Sequence, residues 1–444
     1  MKRFVRRLQL DYTKSKGIFR VSIVMPCLNE ERFIGQAIES LVGSESAGTG
    51  SEIASAQERL AMTNMVPDRW PDSPDRFRDS PDRGSDSAKG RRDSADSGKV
   101  PAGNVEGLTS RGKSVPILDW ELIVVDGGST DRTREVVREY VDGAKAKELG
   151  IGGRVRLIDN PGRLQSHGLN AGIKEARGEI IVRADAHCVF PPRYVRRCVE
   201  LLEKTGAANV GGVMVPVAER VVEGIFEQDE KHKEDGTRGK TKHVHQAIAL
   251  ALQHPVGVGD AKWHVGKYRG YVDTVYLGTF RREVFEEVGF YDPNLKTNED
   301  GELNLRILKA GKRIYLDSSI RVAYFPRETL GKLAKQYFHY GKGRCYTTLK
   351  HRKMTSWRQA GPVALVAGLA AAFVLSLWRP AFLILPAAYV VSLPAVALLT
   401  RFKFGGKLEP VHVHAKIRLL VAAAWAIMHV SWGLGFWSCL IFRR

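Results

Sequence analysis

Two stretches decide the fold: VSIVMPCLNEERFIGQAIESLV at 21–42 and WELIVVDGGSTDRTREVVREYV at 120–141. Residues 21–25 form a short, branched apolar run, the mark of a strand covered on both faces. From Glu30 onward the apolar residues fall at Phe33, Ile34, Ala37, Ile38, Leu41 and Val42, the spacing of a helix buried along one side. The second stretch repeats the unit: a strand over 121–125, a glycine turn, then a helix opening on Ser129, Thr130 and Asp131. The unit returns around RVRLIDN (154–160) and again as EIIVRADAHCVFPPRYVRRCVELLEK (179–204). Strand and helix alternating in this way predict an α/β fold, a mostly parallel sheet with flanking helices.

In such a sheet, ligands bind outside the carboxyl ends of the strands. Asn29 and Glu30 follow the first strand, Asp126 with Gly127 and Gly128 the second, and Asp185 with His187 the fourth. A single carboxylate there is as readily a helix cap or turn former. Three sets on one edge point to a ligand. Asp185 and His187 among oxygen neighbours suit a divalent cation: the carboxylates favour Mg²⁺ or Mn²⁺, and the imidazole tilts the balance towards Mn²⁺. A cation at a sheet rim commonly serves phosphate, so a nucleoside diphosphate is the ligand these residues suggest. Neither G-x-x-x-x-G-K-[ST] nor G-x-G-x-x-G follows a strand, which disfavours P-loop and dinucleotide enzymes. Farther on, Glu299 and Asp300 stand at the start of a helix expected over 301–310, where Asp300 is either an N-cap or a general base.

The formal charge is +19, suited to an anionic membrane surface or phosphorylated substrates. Nucleic acid is disfavoured, because the chain carries no aromatic-basic signature and no recognition helix. Five scattered cysteines without a C-x-x-C pair predict a reducing compartment and argue against a disulfide framework or a zinc cluster. The HVH triplets at 243–245 and 412–414 read as surface features. The basic segment 1–19 has no apolar core. Residues 43–118 interrupt the α/β region 20–330 with a stretch rich in serine, proline and mixed charge, where Pro-Asp-Arg recurs at 67, 74 and 81. Such a composition predicts a disordered loop insertion, with a docking segment for protein partners as the alternative.

Toward the C-terminus, residues 331–359 mix cations and aromatics, as an interfacial amphipathic helix against anionic lipid would. Residues 360–444 hold apolar blocks at 360–378, 381–400 and 419–442, predicting a membrane domain of about three helices. Arg401, Lys403, Lys407, Lys416 and Arg418 put the loop between the last two on the cytoplasmic side, together with the α/β region. A multi-pass protein of the cell (inner) membrane is expected.

Four motifs together, VSIVMPCLNEERFIGQAIESL, ELIVVDGGSTDRT, GLNAGIKEARGEIIVRADAH and NEDGELNLRILKAGKRIY, resemble family 2 glycosyltransferases with the GT-A fold. The likeness covers about 20–42 and 119–350, and it is strongest to membrane-anchored glucosyltransferases extending exopolysaccharides of the succinoglycan type. It implies a nucleotide-sugar donor, UDP-glucose by that likeness, a lipid-linked or growing polysaccharide acceptor, and Mn²⁺ or Mg²⁺ as cofactor. Asp126 matches the acidic residue at the nucleoside, with Pro26, Asn29 and Glu30 beside it, and Arg163 the basic position near base and phosphates. Asp185 matches the first acid of the D-x-D metal motif, and His187 stands where the second acid is usual. Asp300 matches the catalytic base of an inverting, single-displacement hexosyltransferase; Glu299 and Arg344 would lie toward the acceptor. Processive synthases carry Q-x-x-R-W before their membrane helices, whereas QYFHYGKGRCY (336–346) has Gln336 and Arg344 without that motif. A processive synthase and a catalytically inactive membrane scaffold are the competing readings.

Overall fold

The computed structural model describes residues 18–46, 117–217, 236–265, 268–353, 359–402 and 413–442. The chain divides into two units. Every described residue belongs to the unit made of Met1–Val66 and Pro116–Arg444. The other unit, Pro67–Val115, lies outside the described residues, as do nearly all of the insertion expected over 43–118 and most of the basic N-terminal segment.

One sheet organises the described unit. Its strands are β1 (Ile18–Cys27), β2 (Ile117–Asp126), β3 (Val155–Asp159), β4 (Ile180–Arg183), β5 (Cys188–Val189), β6 (Asn209–Pro216), β7 (Arg269–Val272), β8 (Tyr276–Arg281) and β9 (Ile314–Tyr324). They lie in the order β3-β2-β1-β4-β8-β6-β9-β5, with β7 beside β9. The first four of that order are parallel throughout. β8 runs antiparallel between β4 and β6, and β5 and β7 run against β9, while β6 and β9 are parallel. The sheet is mostly parallel, as expected, with an antiparallel insertion that periodicity alone does not reveal.

Successive residues of β1 and β2 point to opposite faces, and both faces are covered. Ile23, Met25, Leu122 and Val124 join one core with Ile34, Ile38 and Leu41 of α1 (Ile34–Ser46). Val24, Ile123 and Val125 join the other with Leu169 and Ile173 of α3 (Gln165–Glu175); α2 (Thr133–Val141) follows β2. This two-sided burial is why the strands read as unbroken apolar runs. Cys27 pairs with Asp126 and Val24 with Arg183, so the carboxyl ends of β1, β2 and β4 share one rim.

The remaining long helices are α4 (Tyr194–Thr205), α5 (Gly236–Ala251), α6 (Glu299–Lys309), α7 (Leu330–His351), α8 (Ala360–Leu375), α9 (Ile384–Leu399) and α10 (Ala415–Ile441). Two apolar segments, Pro380–Leu399 and Ala415–Ile441, are long enough to cross a membrane, with mean hydropathies of 2.3 and 1.6. Three apolar helices, α8, α9 and α10, lie in this region; α8, with 16 residues, is shorter than the ~20 that cross the hydrocarbon. α9 leaves Val390, Val391 and Leu399 exposed, as a lipid-facing helix does.

α7 and α10 pack with their backbones almost touching. A Cβ at Gly341 would run into the Trp432 carbonyl, and one at Gly435 into the Phe338 carbonyl. One turn along this seam, Cys345 and Cys439 form a disulfide with their Cα atoms 6.2 Å apart. This corrects the expectation against disulfides. Residues 94 positions apart meet because glycine lets two helices close, a proximity that sequence spacing does not encode. Cys27, Cys188 and Cys198 are buried and free. The apolar side of α7 faces protein, burying Leu333, Tyr337 and Cys345. The reading of 243–245 as surface is also corrected: α5 buries His245, whose Nε2 lies 3.1 Å from the Pro326 carbonyl.

Candidate functional site

The turns after β1 and β2 are knitted into one rim. Asn29 adopts φ 56, and its amide N–H donates to Ser129 Oγ at 2.9 Å while its Oδ1 accepts from the Thr130 N–H at 2.8 Å. The Glu30 N–H donates to Thr133 Oγ1 at 2.7 Å, which ties the β1 turn to the start of α2. Asp126 lies beneath these turns. Its carboxylate accepts from the Ser129 hydroxyl at 2.5 Å, from Arg134 Nη1 at 2.7 Å and from the Gly128 N–H at 3.2 Å. Burial opposes its ionisation, but these donors prevail and hold its pKa below the usual carboxylate value. The Asp126 side chain is fully buried, so it shapes the turn from below. Arg163, also at positive φ, is exposed with its guanidinium over Gly128, whose added Cβ would meet Arg163 Nε at 3.6 Å. Pro26 is half-buried where β1 ends.

The second part of the rim centres on a buried cation. Arg183, the last residue of β4, contacts Asp185 Oδ1 through Nε at 3.2 Å and Glu299 Oε1 through Nη1 at 3.3 Å. Gln165, at the start of α3, donates to the same Asp185 oxygen at 3.3 Å. His187 turns its Nδ1 toward Glu30 Oε1 at 3.2 Å and sets its ring edge-on to Tyr324. Among the described residues no group of three His, Cys, Asp or Glu side chains is arranged around a cation. The second carboxylate oxygen of Asp185 and Nε2 of His187 make no hydrogen bond there. A carboxylate and an imidazole are donor types that Mg²⁺ or Mn²⁺ accepts beside substrate phosphate.

Glu299 and Asp300 open α6. The N-cap is Asn298, at φ 67, so Asp300 lies inside the first turn and is not the cap. Glu299 is 4% exposed and turns onto Arg183, away from any open face. Burial drives its pKa upward; Arg183 opposes this, while neighbouring Asp300 adds to it. Asp300 is half-buried, and its Oδ1 accepts from the Gly301 N–H at 2.7 Å. Arg344 of α7 reaches this point: a Cβ on Gly301 would meet its guanidinium nitrogens at 3.3 Å. α7 is strapped to the α6 entry, with Thr297 Oγ1 donating to the His339 carbonyl at 2.8 Å and Asn298 Nδ2 to Thr347 Oγ1 at 2.7 Å. Lys350 contacts Glu302 at 2.8 Å and Asp292 at 2.6 Å.

Pro26, Asn29, Glu30, Asp126, Asp185 and His187 thus gather at the carboxyl ends of β1, β2 and β4, with Arg163 over the β2 turn. A buried ion-pair chain links them to the α6 entry, where Arg344 comes close to Gly301, the residue after Asp300. Sequence reasoning missed Arg183 and Gln165. Arg183 had a signal: a cation ending the apolar run EIIV must find carboxylate partners if the strand is buried.

Similarity to known proteins bears on this rim. The model of glycosyl transferase family 2 matches residues 104–289. The succinoglycan biosynthesis protein ExoA of Rhizobium meliloti (strain 1021) is 32% identical over 349 residues, covering 77% of this chain and 93% of that protein. The chain belongs to glycosyltransferase family 2. A second relative is the Methanococcus voltae dolichyl N-acetyl-alpha-D-glucosaminyl phosphate 3-beta-D-2,3-diacetamido-2,3-dideoxy-beta-D-glucuronosyltransferase. It is 23% identical over 52% of this chain and 64% of its own length. The S. aureus TarS 1–349 crystal structure overlays with a TM-score of 0.38 at 12% identity, over 94% of this chain and 90% of that one, too distant to inform the site. The family model spans β2 to β8 and leaves the Pro26–Glu30 turn and Asp300 outside its match.

Proposed function

We propose that this glycosyltransferase moves a single sugar from a nucleotide-sugar donor, UDP-glucose, to a lipid-linked or growing polysaccharide acceptor at a membrane, by one inverting displacement. The observation carrying this reading is the Asp185–Arg183–Glu299 chain, which fixes the rim carboxylate relative to the α6 turn bearing Asp300. Arg163, exposed over the Gly128 turn, offers positive charge to the donor's phosphates. Asp126 is a positioning residue under that turn. Asp185 and His187 would hold the divalent cation, which supplies charge neutralisation for the diphosphate leaving group when bound.

Asp300 accepts the proton of the attacking acceptor hydroxyl. A positioned base of this kind contributes roughly 10²–10⁴ in rate. Glu299 is not an acceptor ligand in this reading; it holds Arg183, and Arg183 holds Asp185. The apolar segments long enough to span a bilayer support a membrane location, with the catalytic unit proposed on the cytoplasmic side. Calorimetry of UDP-glucose binding with and without Mn²⁺ tests the donor side. Wild type should bind in a Mn²⁺-dependent manner and Asp185→Ala should not; equal binding by both contradicts the metal assignment.

A further inference from the structure

The seam that fixes α7 also decides which of its faces remains outward. Gly341 and Cys345 go to α10, and Gly343 and Thr347 go to the Thr297–Asn298 turn. Between these two faces, Lys335, His339 and Lys342 follow one another at i, i+4 and i+7, one stripe of the helix. Lys296 joins them from the neighbouring loop, one residue before Thr297, whose hydroxyl is bonded to the His339 carbonyl. Lys296 and Lys335 are exposed and Lys342 is half-buried. Burial and the charge of all three lysines keep the His339 imidazole below its ordinary pKa. Among the described residues none of the three lysines has an ion-pair partner, although Lys332 and Lys350 on the same helix both do.

Three uncompensated ammonium groups around one point are mutually repulsive, and an anion relieves that repulsion. A sugar hydroxyl does not. The stripe lies beside the α6 entry, where Arg344 meets Gly301 and Asp300 follows Glu299. α7 also leads into the apolar helices. We propose that Lys296, Lys335 and Lys342, with His339, form a docking site for the phosphate that joins the acceptor sugar to its membrane lipid. The site would seat the acceptor so that its sugar reaches Asp300. This inference rests on the proposed lipid-linked acceptor and adds the group by which that acceptor is held.

The test uses the full-length chain in phosphatidylcholine nanodiscs and a fluorescent polyprenyl monophosphate as probe, with UDP-glucose binding measured on the same preparation as a check of folding. Each lysine near a lipid phosphate contributes about a fivefold affinity factor, so Lys335→Gln/Lys342→Gln should weaken probe binding about 30-fold. Lys296→Gln, off the helix, is the second variant and should lose about fivefold. Unlabelled polyprenyl phosphate should displace the probe, and phosphatidylglycerol at equal charge should not. Probe binding within twofold of wild type in both variants overturns the site. Equal displacement by phosphatidylglycerol also overturns it, by making the stripe a general headgroup patch. Loss of probe binding in the variants supports the site even where no donor sugar is released, an outcome that would count against the transferase reading alone.

Discussion

The strand-end rim and the α6 entry are built in different ways. At the rim, Ser129 and Arg134 of the following turn and helix hold Asp126, and the β1 and β2 turns bond across parallel strands. At the α6 entry, most partners are distant in the chain. Arg183 comes from β4, Thr347 and Arg344 from α7, and α7 is itself held by α10. Under the proposed function, local turn chemistry makes the surface that recognises the donor. The α6 entry is set by how the apolar helices dock, so under the proposed function acceptor specificity should be sensitive to changes far from Asp300.

The largest effect expected is at the chemistry itself. Asp300→Asn should lower turnover by roughly 10²–10⁴ and leave nucleotide binding near wild type, measured by single-turnover release and calorimetry. Next comes the link between the two regions. Glu299→Ala leaves Arg183 as a buried cation with one fewer partner and should cost about 3–5 kcal/mol in denaturant unfolding, a loss that Asp126→Asn should not approach.

The same glutamate carries a pH signature. Its folded pKa is raised, so the native state holds a proton that the unfolded state releases. Stability should fall as pH rises from the ordinary carboxylate range toward neutrality, and Glu299→Gln should remove that slope in melts taken across pH. Asp126 has the opposite sign. Its lowered pKa contributes stability above the ordinary aspartate value and loses it on acidification, and Asp126→Asn should flatten the acid limb. The smallest expected stability change is at the helix seam. Gly435→Ala forces a methyl against the Phe338 carbonyl, should cost about 1–3 kcal/mol, and should raise the KM for lipid extract while leaving that for donor unchanged.

Sequence and structure agree where the physics is local. Branched runs at 21–25 and 121–125, followed by helical spacing, gave strands and helices in the right order. Parallel pairing then brought Glu30, Asp126 and Asp185 to one edge. The start of α6 was legible within two residues. What stayed hidden depends on long-range approach: β8 entering antiparallel between β4 and β6, the buried His245, and the Cys345–Cys439 pair across a glycine seam. The burial of Asp126 was hidden too, because a carboxylate at a strand end has the same sequence signature whether it faces a ligand or fastens the turn beneath one.

The central claim is that the rim and the α6 entry are two halves of one transferase site. Its most direct measurement is nucleoside diphosphate release from a UDP-sugar panel by membranes containing the protein, with lipid extract and Mn²⁺ or Mg²⁺, beside Asp185→Asn and Asp300→Asn. Metal-dependent release with one donor, lost in both variants while Asp300→Asn still binds nucleotide, is the predicted result. Release that persists unchanged in Asp300→Asn, or none from folded wild type with any donor, would contradict it.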